Sequence, residues 1–267
     1  MGELILVGLG LWDEKDVSLR GIEETQSADA VFAELYTSLM PRLSVSRLEE
    51  AVGKRITVVT RQALEEEGGQ AILREARRGK AVLLVPGDPL IATTHVDLRI
   101  RAEREGIKTR VVHGASVVSA AIGLSGLQNY KFGRSVTVPF PDEGPVSETP
   151  YAVVVENRKM GLHTLCFLDI RAEERRYMTV RDALKTLTLM EGRSRGGVIT
   201  PDTLAVGVAR AGSTDSTVKA GYVKELMRHD FGAPPHCLIF PGKLHFMEAE
   251  ALVTLARAPL EIRRMAV

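Results

Sequence analysis

AVLLVPGDPLIATTHVDLRIRAEREG, residues 81–106, decides the fold. AVLLV is apolar without alternation, which suits a strand buried on both faces of a parallel sheet. Pro86, Gly87, Asp88 and Pro89 then supply turn chemistry. HVDLRIRAEREG follows with the spacing of a helix and ends at Gly106, where a C-cap is expected. Strand, turn and helix in that order make one βα unit. Strand exits in parallel sheets are also where α/β proteins hold ligands. Asp88 between two prolines therefore has two readings, an ordinary turn residue or part of a binding site.

The same pattern extends to both sides. ELILVGL, AVFAELY, RITVVTR, AVLLVPG and TRVVHG recur about every 25 to 30 residues, the spacing of βα repeats. Between them lie SLRGIEETQSA, SVSRLEEAVG, QAILREARRG and HVDLRIRAEREG, with Gly53 and Gly79 as further expected C-caps. From ASVVSAAIGLSGLQ onward the texture changes. RSVTVPF, HTLCFLDI, TLAVGVARAG, STVKAGYV and HCLIFPG read as strands, and PDEGPVSETP as a proline-rich surface loop. Helices are expected in YAVVVENRKMGL, from about Thr179 to Glu191, in KELMRHD and in FMEAEALVTLARA. Strands that lack a long intervening helix imply a partly antiparallel sheet. The expected fold class is α/β in two domains. Residues 1–119 form an N-terminal open, mostly parallel sheet, and residues 120–267 a C-terminal mixed sheet, with a ligand in the cleft between them.

Composition excludes several function classes. The 267 residues carry 35 basic and 34 acidic side chains, so no overall field favours nucleic acid or an anionic membrane. Cys166 and Cys237, the two cysteines, are too few for a disulfide framework or a zinc cluster, and no metal is expected. MGELILVGLGLWDE lacks a basic n-region and a cleavage site, and reads as a strand rather than a signal peptide. No run has membrane-spanning length. A soluble, cytoplasmic protein is the expectation.

Four groups of residues carry the chemistry. In VGLGLWD (7–13) Gly8 and Gly10 begin a dinucleotide-type turn, but Asp13 stands at the third glycine position. Asp13, Glu14 and Asp16 would repel a pyrophosphate, which needs free N–H groups opening a helix. A tight turn needing positive φ is the other reading of these glycines. In GDP, Pro86 and Pro89 remove two backbone donors and leave carbonyls and the Asp88 carboxylate in excess, a surface suited to a cationic ligand. Thr93 and Thr94 are expected to cap the next helix. In VVHGASVVSA (111–120) Ser116 is either a helix cap or a ligand contact. His113 is read as a turn residue with no companion resembling a catalytic triad. In the second half, FLDI, ARAGS and FGAPPHC lie at strand ends. There His236 is either a ligand contact or a satisfied core histidine. Lys131, Arg134, Arg171, Arg175 and Arg176 are candidate partners for an anionic substrate group.

VGLGLWDEKDVSLRG, GDPLIATTH and ASVVSA, in this order, resemble the tetrapyrrole methylase class of S-adenosylmethionine-dependent methyltransferases. FAELYTSLM, GDPLIATTHVDLRIRA, GLHTLCFLDI, ARAGS, AGYVKEL and FGAPPHCLIFPGKLHFMEAEAL resemble its diphthine synthase branch over nearly the whole chain. The stretch 139–150 matches least. The resemblance implies S-adenosylmethionine folded in the cleft of a homodimer, bound through Leu11, Asp88, Ile91, Ser116, Val117, Leu168, Ala211 and His236. It implies successive N-methylation of the amino group of a 3-amino-3-carboxypropyl-histidine on translation elongation factor 2, giving diphthine. Asp88 either helps to accept the amine proton or orients the cofactor. Neither nucleic acid nor membrane is an implied partner. A corrin-type tetrapyrrole methyltransferase and, from another class, a nucleotide-binding oxidoreductase or sensor domain are the competing expectations.

Overall fold

Every apolar run expected in the first half is a strand in the computed structural model, which describes residues 2–141 and 147–266. The strands are β1 (Glu3–Gly8), β2 (Ala30–Glu34), β3 (Thr57–Val59), β4 (Lys80–Val85) and β5 (Lys108–Val112). They alternate with α1 (Leu19–Gln26), α2 (Val45–Val52), α3 (Gln70–Arg78) and α4 (Val96–Arg104), and α5 (Val117–Ser125) follows. Among the described residues these strands form one sheet in the order β3-β2-β4-β1-β5, with every pairing parallel. Continuous apolar runs are explained by burial on two faces. Leu4 and Leu6 of β1 join Leu83, Val85, Ile72 and Leu98 on one face. Ile5 and Val7 join Val82, Leu84, Leu48 and Val52 on the other. Gly53, in the left-handed region at φ 64°, and Gly79 are the C-cap residues of α2 and α3.

The chain divides into two compact units. Met1–Val117 and Ile170–Arg175 make the first, Val118–Asp169 and Arg176–Val267 the second. In the second unit lie β6 (Val136–Val138), α6 (Thr149–Lys159), β7 (Thr164–Leu168) and α7 (Val180–Ser194). After them come β8 (Leu204–Ala209), β9 (Thr217–Tyr222), α8 (Val223–Leu226), β10 (His236–Phe240) and α9 (Phe246–Thr254). The sheet order is β9-β8-β10-β7-β6. Only the β6–β7 pairing is parallel among the described residues, so the sheet is mixed, as expected from strands joined without long helices. Cys166, Leu168 and Leu238 of this sheet pack with Tyr151, Val154, Leu184 and Leu187 of α6 and α7. Thr179 caps α7 through a capping box with Asp182. Of the expected loop at 141–150, residues 142–146 lie outside the described residues. Among those described, no helix is long and apolar enough to cross a membrane.

Candidate functional site

Connections leaving β1 run toward β2, whereas those leaving β4 run toward β5. The C-terminal ends of β1 and β4 are therefore a topological switch point, where open α/β sheets bind ligands. Three turns meet on this edge. Gly10 N–H donates to Gly87 O at 3.3 Å, and Gly87 N–H returns a bond to Gly10 O at 2.7 Å. A Cβ on Gly8 would lie 2.5 Å from Gly114 N and 2.6 Å from Gly87 O, so the strand exits approach each other backbone to backbone. Gly10 and Gly87 also take positive φ, 85° and 70°.

The acids after the first turn have separate tasks. Asp16 Oδ2 accepts the N–H groups of Leu11 at 2.9 Å and Trp12 at 2.7 Å. Asp13 caps a short 3₁₀ turn through the N–H of Lys15, and Glu14 pairs with Arg47 at 3.0 Å. The donors that a pyrophosphate would need are thus held by a carboxylate. The expected exclusion of a dinucleotide acquires a direct geometric cause.

Asp88 is 7 % exposed and bridges two of the turns. Its Oδ1 accepts Leu90 N–H at 3.0 Å, and its Oδ2 lies 2.7 Å from His113 Nδ1. His113 therefore has the carboxylate companion that reading the sequence denied it. On this loop one expectation is narrowed and another fails. The carbonyls thought to be in excess are partly used internally: Val85 O accepts from Leu9 N–H, Gly87 O from Gly10 N–H and Pro89 O from the Thr93 hydroxyl. Nor do the threonines cap α4. Thr93 turns back to Pro89, Thr94 donates to Glu65 at 3.3 Å, and His95 occupies the cap position. Ile91 is exposed, and Ala92 beside it stands at φ 57°, a conformation uncommon for a non-glycine residue.

His95 ends this loop and is buried against the fully buried Glu34, with Nε2 3.1 Å from Glu34 Oε1. The Glu34 carboxylate also accepts the N–H groups of Tyr36 and Thr37, and the Thr37 hydroxyl. A buried carboxyl group needs its oxygens hydrogen-bonded in this way. The cluster ties the β4 exit to the β2 exit. Its one sequence signal is an acid inside the apolar run AVFAELY.

Leu11, Asp88, Ile91, Ser116 and Val117 thus all belong to the first unit, on the exits of three neighbouring strands. Ser116 and Val117 are half-buried where α5 begins. Leu168, Ala211 and His236 belong to the second unit. They share one end of its sheet. Leu168 closes β7, His236 opens β10 opposite Ala209, and Ala211 follows β8 by two residues. His236 Nδ1 accepts Val180 N–H at 3.3 Å, and Nε2 donates to Ala233 O at 3.2 Å. Burial lowers its pKa, keeping the ring neutral with both nitrogens satisfied within the protein.

Reading the sequence missed Arg210. It stands at φ 52° and reaches Phe231 O at 2.6 Å, Ala233 O at 2.9 Å and Asp215 at 3.2 Å, holding the segment before His236. Two of the cations considered for an anionic substrate are engaged in the fold. Lys131 Nζ binds Glu248 and the Lys243 carbonyl, and the Arg176 guanidinium lies over the Phe140 ring at 3.9 Å. Among the described residues, no group of three or more His, Cys, Asp or Glu side chains is placed to hold a metal ion.

The model of the Tetrapyrrole (Corrin/Porphyrin) Methylases family matches residues 3–227. The chain is 48% identical over 264 residues to the diphthine synthase of Methanosarcina mazei, covering 97% of this chain and 98% of that one. It is 45% identical over 251 residues to that of Methanocaldococcus jannaschii, with 93% and 97% covered. A crystal structure of diphthine synthase superposes with a TM-score of 0.89 at 42% identity, covering 98% of this chain and 99% of that one.

Proposed function

The chain belongs to the tetrapyrrole methylases and, within them, to the diphthine synthases, and we propose that it trimethylates an amino group on elongation factor 2. The acceptor is the amine of a 3-amino-3-carboxypropyl-histidine, and the product is diphthine. The observation that carries this reading is 48% identity to a diphthine synthase along 97% of the chain. The active form is a cytoplasmic homodimer, with no nucleic acid or membrane partner.

The residues fit S-adenosylmethionine better than a dinucleotide. The Leu11 and Trp12 N–H groups are already taken by Asp16, and a buried carboxylate, Asp88, stands at the switch point. Such an edge favours a cationic sulfonium over a pyrophosphate. Leu11, Asp88, Ile91, Ser116, Val117, Leu168, Ala211 and His236 are the residues proposed to hold the cofactor. When bound, it supplies a methyl group activated by the sulfonium. The turn glycines hold the loops at the strand exits in close contact, and a site so fixed would supply much of its acceleration by positioning the acceptor amine.

The test is a mass spectrum of elongation factor 2 carrying the aminocarboxypropyl group, after incubation with this protein and S-adenosylmethionine. Three added methyl groups on one nitrogen are expected, with none on the unmodified factor, which presents no such amine. Methylation of a corrin precursor, with the modified factor untouched, would assign the chain to tetrapyrrole chemistry instead.

A further inference from the structure

The geometry points to His113 as the base that accepts the substrate ammonium proton, held in position by Asp88. This inference rests on the methyltransferase reading above and deepens it. Methyl transfer needs a free lone pair on nitrogen, whereas an alkylamine near neutral pH is an ammonium. Some group must remove one proton before each transfer. Asp88 is poorly placed to do so. It is 7 % exposed, and both carboxylate oxygens already accept bonds, from Leu90 N–H at 3.0 Å and from His113 at 2.7 Å. The other end of this pair faces outward, because the His113 side chain is 71 % exposed.

The pairing also fixes the tautomer. An ionised carboxylate only accepts hydrogen bonds, so Nδ1 of His113 carries the proton and Nε2 of the neutral ring keeps its lone pair. An exposed imidazole nitrogen is thereby aimed away from a buried carboxylate that will stabilise the imidazolium once it forms. Asp88 is a positioning residue in this arrangement. Gly114, next in sequence, packs against Gly8 and Gly87 so closely that a Cβ on it would lie 2.3 Å from Gly87 O. The base thus stands on a turn locked to the two strand exits of the switch point.

The step balances. The ammonium gives one proton to Nε2 of His113. The freed lone pair forms the N–C bond as the methyl C–S bond breaks, its electron pair staying on sulfur, which becomes a neutral thioether. His113 passes its proton to water, and three rounds turn the primary ammonium into a trimethylammonium with release of three protons.

The experiment compares the wild-type protein with His113→Ala and His113→Asn. Asparagine preserves a donor toward Asp88 but offers no proton acceptor of comparable basicity. Methyl transfer to the modified elongation factor is measured at saturating S-adenosylmethionine, with calorimetric titration of S-adenosylhomocysteine as the check on folding and cofactor binding. Both variants are expected to bind S-adenosylhomocysteine like the wild type and to lose roughly 100-fold or more in kcat. Added imidazole should restore part of the rate to His113→Ala. A kcat within threefold of wild type, a loss confined to KM for the factor, or a loss that imidazole leaves unmoved would each overturn the assignment. If the wild-type protein itself transfers no methyl to the modified factor, the methyltransferase reading fails first. An active wild type with an equally active His113→Ala condemns the base alone.

Discussion

Asp16 Oδ2 accepts the backbone N–H of Leu11 at 2.9 Å, and the same oxygen takes Trp12 N–H at 2.7 Å. One carboxylate thereby sets the shape of the first turn and occupies two of its backbone donors. Asp16→Ala leaves two half-buried donors without that acceptor, a loss of about 1–3 kcal/mol. Trp12 is the sole tryptophan, so its fluorescence reports the first unit directly. The expected result is a lower urea midpoint by that signal, together with weaker S-adenosylhomocysteine binding. A variant with unchanged midpoint and affinity would show that the turn holds its shape without Asp16.

Asp88 and Ser116, both proposed cofactor contacts, offer a way to separate charge from shape in cofactor binding. A charge-assisted hydrogen bond contributes about 1.5–3 kcal/mol against about 1 for a neutral one. Asp88→Ala should therefore weaken S-adenosylmethionine binding more than Ser116→Ala does. Asp88→Ala should also weaken S-adenosylmethionine more than S-adenosylhomocysteine, whose sulfur carries no charge. Calorimetry on the two ligands checks both orderings, and equal losses in the two variants would reduce Asp88 to a turn residue.

These expectations bear on what the sequence makes legible. The strands of the first unit could be read because each is continuously apolar, and β1 alternates Leu4 and Leu6 with Ile5 and Val7 onto two covered faces. The three turns were legible for a related reason: Gly8, Gly87 and Gly114 mark backbones that touch. Side-chain pairs were not legible. Asp88 meets His113 25 residues away, Glu34 meets His95 at a separation of 61, and His163 meets Glu248 at 85. Nothing local in the chain announces such a partner, since the meeting is made by strand order. Thr93 and Thr94 misled for the opposite reason. Their local signal for a cap was sound, but the loop carries them back to Pro89 and across to Glu65.

Glu248 should govern acid stability of the second unit. Burial alone would raise its carboxyl, yet the N–H of His245, the Lys131 ammonium, the N–H of Gln128 and His163 together bring its pKa from 4.5 down to about 2. A carboxyl depressed in the fold stabilises fully above its unfolded value, and that contribution fades as pH falls from about 4.5 toward 2. Burial likewise depresses the His163 pKa from 6.5, so its neutral ring adds a loss that begins below that pH. Glu248→Gln removes the charge that Lys131 is paired with, and because the Lys131 side chain is 22 % exposed the loss should fall below the about 3–5 kcal/mol of a fully buried pair. Urea midpoints by circular dichroism from pH 7 to pH 3 should start lower in the variant and fall less steeply. Parallel curves for the two proteins would place the acid-sensitive group elsewhere.

The cysteines give a second, independent reading of the same unit. Cys166 and Cys237 lie on the neighbouring strands β7 and β10, are 0 % and 3 % exposed, and are both free thiols. Burial pushes the Cys237 thiol up to about 12 and the Cys166 thiol further still. Since the thiolate is the reactive form, native protein should resist an aromatic disulfide reagent at pH 8, and labelling should await opening of the sheet. Glu248→Gln is then expected to speed labelling at both positions, because it lowers the stability of the unit that hides them. The proposed homodimer, if held by buried surface and not by disulfides, should keep its mass by light scattering whether or not reductant is present. Rapid native labelling would contradict the burial. A mass that falls to the monomer on reduction would show a disulfide between copies, and a monomer under both conditions would refute the dimer.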